Sequence, residues 1–72
     1  MDCVTIHTEF IKLGQLLKLA NLVGQGSDAK LLITNGEVLV NGNVELQRGK
    51  KIYPGDVVEV KGFGQVTVEI EE

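Results

Sequence analysis

Six of the seven basic residues lie in the middle of the chain, where their side chains could bind an anionic partner. They are Lys12, Lys18, Lys30, Arg48, Lys50 and Lys51. Residues 10–53 hold these six basic residues and three acidic ones, a net charge of +3, although the whole chain carries −3. Physiological salt screens charges beyond about 8 Å, so acidic ends on the far side need not prevent a basic face from binding nucleic-acid phosphates. A solvated surface of balanced charge is the alternative.

A glycine-rich segment forms a second candidate phosphate site. Gly24-Gln25-Gly26 precedes Ser27 at the start of a predicted helix, where backbone N–H groups could hold an RNA phosphate. The segment lacks the Gly-Lys-Ser/Thr of a Walker A loop and does not follow a strand, so we expect no nucleotide cofactor. The alternative is a plain turn between helices whose N–H groups bind water.

Cys3 and His7 are the residues most suited to catalysis. They are the only cysteine and the only histidine, and their even spacing would place them on one face of a strand. A nucleophile also needs an orienting third group within reach, and the alternative is a buried cysteine beside a surface imidazole. We therefore expect no catalytic residue, no metal site and no cofactor, which means a binding protein and not an enzyme.

Length and composition indicate one small domain that acts in the cytoplasm. The 72 residues suit a single domain, in which an exposed binding face is easier to build than a deep cleft. A lone cysteine excludes an intramolecular disulfide and favours a reducing compartment. Asp2 stands where a signal peptide would be basic, and no apolar run approaches the roughly 20 residues that cross a membrane.

A short strand and a first amphipathic helix are predicted at the start of the chain. Residues 3–7 alternate apolar and polar side chains, as in a strand. Thr8 is suited to cap a helix that we expect to run from Phe10 to near Val23. Its apolar stripe consists of Phe10, Leu13, Leu16, Leu17 and Ala20, with Lys12, Gln15 and Lys18 off the stripe.

A second helix is predicted between Ser27 and Gly36. The Ser27 hydroxyl could cap it, and Gly36 suits the left-handed position just after its end. Its inner face would consist of Ala29, Leu32 and Ile33.

Three turn signals divide the rest of the chain into strands. Asn41-Gly42 is typical of a type I′ turn, with Val44 starting the return strand. Residues 53–56, Tyr-Pro-Gly-Asp, fit a type II turn before a strand at residues 57–60. A turn at residues 62–64 precedes a final alternating strand.

This order of elements predicts an α+β fold, with two helices packed on one face of a small antiparallel β-sheet. The short N-terminal and C-terminal strands could pair with each other. Aromatic residues are scarce, and Tyr53, the one plausible stacking residue, is expected to pack beside Pro54. An RNA partner would therefore be structured RNA, bound through its phosphates and its shape.

Four segments together resemble the S4 domain family. Residues 10–18, Phe-Ile-Lys-Leu-Gly-Gln-Leu-Leu-Lys, are similar to its first helix, and residues 27–36, from Ser-Asp-Ala-Lys to Asn-Gly, to its second. Residues 38–42, Val-Leu-Val-Asn-Gly, match the hairpin that follows, and residues 53–60 match the strand that opens with Pro-Gly-Asp. The hairpin and the Pro-Gly-Asp turn are specific in combination, and the match covers about residues 10–60.

The resemblance implies an αL motif in which two helices and an adjoining loop bind structured RNA, such as ribosomal RNA. Small stand-alone bacterial S4 proteins are the most similar group. For the partners, we expect a monomer that has no small-molecule substrate. The matching residues are Lys12, Lys18, Gln25, Ser27 and Lys30 on the helical face, and Arg48, Lys50 and Lys51 in the loop.

Two departures from the family leave a second function open. Residues 12–14, Lys-Leu-Gly, stand where S4 domains often have Arg-Leu-Asp, and residues 24–26 lack the family's frequent positive charges. Fewer cations imply weaker RNA affinity and leave open a protein-interaction module associated with the ribosome or another RNA–protein complex. RNA binding requires the basic residues to converge on one face, whereas a protein-interaction module predicts scattered lysines and an exposed apolar patch.

Overall fold

The computed structural model describes residues 2–20 and 29–71, and that part of the chain forms two short helices and seven strands. The elements are β1 (Asp2–Ile6), β2 (Ile11–Lys12), α1 (Leu13–Leu19), α2 (Ala29–Thr34), β3 (Val38–Val40), β4 (Asn43–Val44), β5 (Lys51–Ile52), β6 (Val57–Val60) and β7 (Gly64–Ile70). Neither helix, within the described bounds, is long and apolar enough to span a membrane.

Five strands form one sheet in the order β1-β7-β6-β3-β4, and β2 and β5 form a separate two-stranded ribbon. The α+β architecture and the pairing of the terminal strands are confirmed. The sheet is mixed, however, because β1 lies parallel to β7 while the other neighbours are antiparallel. Alternating apolar residues determine which face of a strand is buried but not its direction, so the sequence pattern left this pair undecided.

The core lies between the helices and one face of the five-stranded sheet. Val58, Val60 and Val68 are fully buried on neighbouring strands, and Leu13, Leu16, Leu17 and Ile33 are fully buried on the helices. Each such side chain contributes about 1.5–3 kcal/mol by leaving water. The core is therefore aliphatic, as expected for a chain that has only three aromatic residues.

Helix α1 begins later than the sequence predicts. Phe10 precedes the extended residues of β2, and the Thr8 hydroxyl donates a hydrogen bond to the Phe10 carbonyl (2.7 Å) and does not cap the helix. Lys12 is the N-cap residue, with an extended backbone and no capping side-chain bond. The predicted cap was wrong because a distant loop, described below, occupies the start of this helix. The predicted end near Val23 lies outside the described residues.

Helix α2 ends as predicted. The Gly36 N–H donates to the Ile33 carbonyl (3.1 Å), and Gly36 has a φ of 75°, the left-handed conformation that ends many helices. Ala29 and Ile33 are buried on the inner face, with Leu32 partly buried beside them. The predicted Ser27 cap lies outside the described residues.

The two predicted β-turns are confirmed. Asn41 and Gly42 have φ values of 53° and 85°, as a type I′ turn requires, and the return strand starts at Asn43, one residue before the predicted Val44. Gly55 has a φ of 97°, and the Asp56 N–H donates to the Tyr53 carbonyl (3.0 Å) across the second turn.

Candidate nucleic-acid interface

The start of α1 is bound by the loop that precedes β5. Leu13 N–H donates to the Lys50 carbonyl (2.9 Å) and Gly14 N–H donates to the Arg48 carbonyl (3.1 Å). These bonds satisfy N–H groups that have no partner within the helix. The loop therefore replaces a side-chain cap and lies beside the helix.

The ribbon of β2 and β5 continues the same contact. Lys12 lies opposite Lys51 and Ile11 lies opposite Ile52 in this antiparallel pair. Ile52 is fully buried, which anchors the ribbon to the core. Basic residues that are far apart in sequence are thereby brought to the same end of α1.

Gly14 allows Arg48 to lie directly against the helix. A Cβ atom at position 14 would lie 2.7 Å from Arg48 Cγ, closer than non-bonded carbon atoms approach, and 3.1 Å from Arg48 Cδ. This glycine is one of the departures of the sequence from the S4 family pattern. In the structure it is the residue that leaves room for the Arg48 side chain.

Four of the predicted site residues line one surface depression of about 410 Å³, which we call the basic depression. Its lining consists of Lys12, Gly14, Gln15, Lys18, Ala29, Lys30, Arg48 and Gly49. The four cations come from the start of α1, its last turn, α2 and the loop before β5, and all four are exposed. None of the described residues that line it is acidic, so the basic depression is a concentrated positive site in a chain of net charge −3.

Two further predicted residues line a second depression. Lys50 and Lys51 line this depression of about 390 Å³, and Gln25 and Ser27 lie outside the described residues. The basic depression also contains Gln15, which the sequence analysis did not select. Its spacing of three residues from Lys12 and Lys18 was the available signal, since residues three apart share a helix face.

The second depression is lined in part by Tyr53, an exposed residue, and we call it the Tyr53 depression. It is lined by Val40, Asn41, Asn43, Val44, Glu45, Lys50, Lys51, Tyr53 and Asp56. The ring contact that the structure records for Tyr53 is with Phe10, at 5.9 Å between ring centroids. Lys51 Nζ lies 4.9 Å from the centre of the Phe10 ring.

Cys3 differs from the expected alternative of a buried cysteine beside a surface imidazole, whereas His7 agrees with it. Cys3 is exposed on β1, so the expectation of a buried cysteine was wrong. His7 follows the end of β1, and its Nδ1 lies 2.6 Å from Glu71 Oε2 at the surface. Among residues 2–20 and 29–71, no three histidine, cysteine or acidic side chains are grouped as a metal site requires.

The fold and the sequence place the chain in a known family. A model of the S4 domain matches residues 4–70, which is nearly the whole chain. The protein belongs to the S4 domain family, and the resemblance seen in the sequence is confirmed.

One curated relative is similar over almost its full length. The probable ribosome maturation protein RlbA of Bacillus subtilis (strain 168) is 49% identical over 65 residues, which cover 90% of this chain and 92% of the relative.

Proposed function

We propose that this protein binds structured RNA through the basic depression and that its physiological target is ribosomal RNA. The observation that carries the proposal is the convergence of Lys12, Lys18, Lys30 and Arg48 on one depression that has no acidic residue among its described lining. Lys50 and Lys51 would extend the contact along the adjoining loop. Gln25 and Ser27 remain part of the proposed interface on the family resemblance alone.

The chemistry of the basic depression suits a phosphate backbone. Arginine and lysine donate hydrogen bonds to phosphate oxygens, and their binding releases the counterions that RNA holds. Exposed side chains on helices of a rigid core can follow the shape of a folded RNA without reading its sequence. The basic depression is therefore suited to bind the phosphates of a folded RNA according to their positions in space.

The choice of ribosomal RNA is supported by the relative. RlbA of Bacillus subtilis is named as a probable ribosome maturation protein, and it shares about half of its residues with this chain. We propose that this protein also acts on the ribosome, as a cytoplasmic monomer that works by binding and without catalysis.

The alternative, a protein-interaction module, is less well supported. It predicts scattered lysines, whereas four of the seven basic residues line one depression. Exposed apolar residues are common on soluble proteins and do not by themselves define an interface. Those of the described part of the chain lie on both helices, two strands and three connecting segments: Leu19, Leu31, Val44, Leu46, Tyr53, Phe63 and Ile70.

A comparison of two lysine variants tests the proposal. Lys30→Ala removes a cation from the basic depression, whereas Lys61→Ala removes an exposed cation that lines neither depression. Fluorescence anisotropy would measure the affinity of each variant for isolated ribosomal RNA and for a fully paired RNA hairpin. We expect Lys30→Ala to weaken binding about fivefold, near 1 kcal/mol, and Lys61→Ala to leave it unchanged. Equal effects of the two substitutions, or no binding by the wild type at low salt, would refute the proposal.

A further inference from the structure

We infer that the Tyr53 depression binds a single unpaired nucleobase of the RNA whose phosphates occupy the basic depression. The inference rests on the proposed function and extends it, because it requires the RNA to carry a bulged or looped-out nucleotide. The sequence, by contrast, predicts that RNA is recognised through its phosphates and its shape alone, with Tyr53 packed beside Pro54.

The charge of the Tyr53 depression differs from that of the basic depression. Lys50 and Lys51 are balanced there by Glu45 and Asp56, so its lining is neutral overall. A neutral lining attracts phosphates less strongly than the basic depression does, and it suits an uncharged base. The volume of about 390 Å³ lies within the range of small-ligand sites, which start near 300 Å³.

Both carboxylates in the Tyr53 depression already accept hydrogen bonds from the protein. Asp56 Oδ1 accepts from Asn41 Nδ2 (3.1 Å), and Asp56 Oδ2 accepts from the Tyr53 N–H (2.8 Å). Glu45 Oε2 accepts from the N–H groups of the next two residues, each at 3.1 Å. These bonds disperse the negative charge and fix the walls of the depression, so the site is formed before RNA arrives.

Tyr53 provides the stacking surface. The residue is 43% exposed, while the contact of its ring with Phe10 and the bond from its backbone to Asp56 hold it in place. A positioned, half-exposed aromatic ring is the element on which unpaired RNA bases stack, and each such stack contributes enough to change affinity about five- to a hundredfold. Lys51 lies beside this aromatic pair, where it could neutralise the phosphate of the stacked nucleotide.

Asn43 provides a polar side chain in the lining of the same depression. Its Nδ2 makes one long hydrogen bond of 3.4 Å to the Asn41 carbonyl, and the side chain is exposed. An asparagine amide carries both donors and an acceptor, and it can pair with the edge of an adenine. The Tyr53 depression therefore combines a stacking ring with a group that can recognise a base.

The two depressions are adjacent along the ribbon of β2 and β5. Lys12 lines the basic depression and lies opposite Lys51, which lines the Tyr53 depression. Lys50 connects them, because its carbonyl caps α1 while the residue lines the Tyr53 depression. An RNA strand held by its phosphates at one depression can thus present the base of a neighbouring nucleotide to the other.

Two RNA hairpins with the same stem test the inference. One is fully paired, and the other carries a single bulged 2-aminopurine, a fluorescent adenine analogue. The wild type should bind the bulged hairpin about tenfold more tightly, and binding should quench the 2-aminopurine fluorescence as the base stacks on Tyr53. Tyr53→Leu should remove both the preference and the quenching, whereas Tyr53→Phe should retain them.

The fully paired hairpin separates failure of this inference from failure of the proposed function. Tyr53→Leu should bind that hairpin with the affinity and the salt dependence of the wild type. If the wild type binds both hairpins equally, without quenching, the base site is refuted while phosphate binding stands. If the wild type binds neither hairpin, both the base site and RNA binding by the basic depression are refuted. If circular dichroism shows that Tyr53→Leu does not fold, the quenching of 2-aminopurine fluorescence by the wild type and by Tyr53→Phe tests the base site. Absence of quenching in both would refute it.

Discussion

Gly14 shows how a single residue can shape a binding surface without touching a ligand. Its missing side chain leaves the space that Arg48 occupies, and its N–H holds the Arg48 carbonyl at 3.1 Å. The residue types of the basic depression were recognised from the sequence because lysine and arginine bind phosphate. The division of these residues between two depressions was not predicted from the sequence. It depends on the contact between a helix and a loop, and Gly14 and Arg48, which meet there, are 34 residues apart in the chain.

Gly14→Ala should weaken RNA binding without unfolding the protein. The new Cβ would overlap Arg48 Cγ, so the Arg48 side chain must turn away, and affinity should fall about fivefold, as we expect for Arg48→Ala. The higher helix propensity of alanine, about 1 kcal/mol, should offset much of the strain in the free energy of unfolding.

Anisotropy titration and thermal unfolding would measure the two effects of Gly14→Ala. Arg48→Ala is the matched control: if Gly14 acts through Arg48, adding Gly14→Ala to Arg48→Ala should cause no further loss of affinity. If Gly14→Ala binds RNA with wild-type affinity, Arg48 does not require a glycine at position 14 in order to bind RNA.

At the scale of elements, two turns are joined through the Asn41 side chain. Asn41 Oδ1 accepts a hydrogen bond from the Val57 N–H (2.9 Å), and its Nδ2 donates to Asp56 (3.1 Å). Both turns were predicted from local residues, because type I′ and type II turns depend on positive φ angles that Asn and Gly adopt. The bonds between the turns and the loop cap of α1 were not predicted, because they join segments that are distant in the chain.

Asn41→Ala should lower the free energy of unfolding by about 2 kcal/mol. Two side-chain hydrogen bonds are lost, and alanine is strained at a φ of 53°. Urea unfolding followed by circular dichroism would measure the change. Asn43→Ala, which loses one bond of 3.4 Å, should change stability by less than about 0.5 kcal/mol. Equal losses in the two variants would contradict a structural role for Asn41.

Over the whole molecule, the pairing of β1 with β7 completes the sheet from the two ends of the chain. Val4 and Ile6 are buried on β1, opposite Val68 and Ile70 of β7. The sequence predicted the strands and suggested their pairing through matching alternation. It could not predict that they run parallel, since either direction buries the same apolar faces.

Ile6→Ala should destabilise the domain by about 3 kcal/mol, because it leaves a cavity in a core that this small chain cannot readily refill. Thr5→Ala, at the exposed neighbouring position, should change stability by less than about 0.5 kcal/mol. Thermal unfolding of the two variants would compare them. A loss in Ile6→Ala no larger than that in Thr5→Ala would show that β1 is not needed for the stability of the core.

The measurement that tests RNA binding by the basic depression most directly is the salt dependence of the affinity for a fully paired RNA hairpin. The wild type would be compared with a variant that combines Lys12→Ala, Lys30→Ala and Arg48→Ala, and with Lys61→Ala. If the three cations contact phosphates, the triple variant should reduce the slope of log K against log salt by about 2 to 3 units, and Lys61→Ala should not change it. A triple variant with the wild-type slope, or a similar loss of slope in Lys61→Ala, would contradict RNA binding by the basic depression.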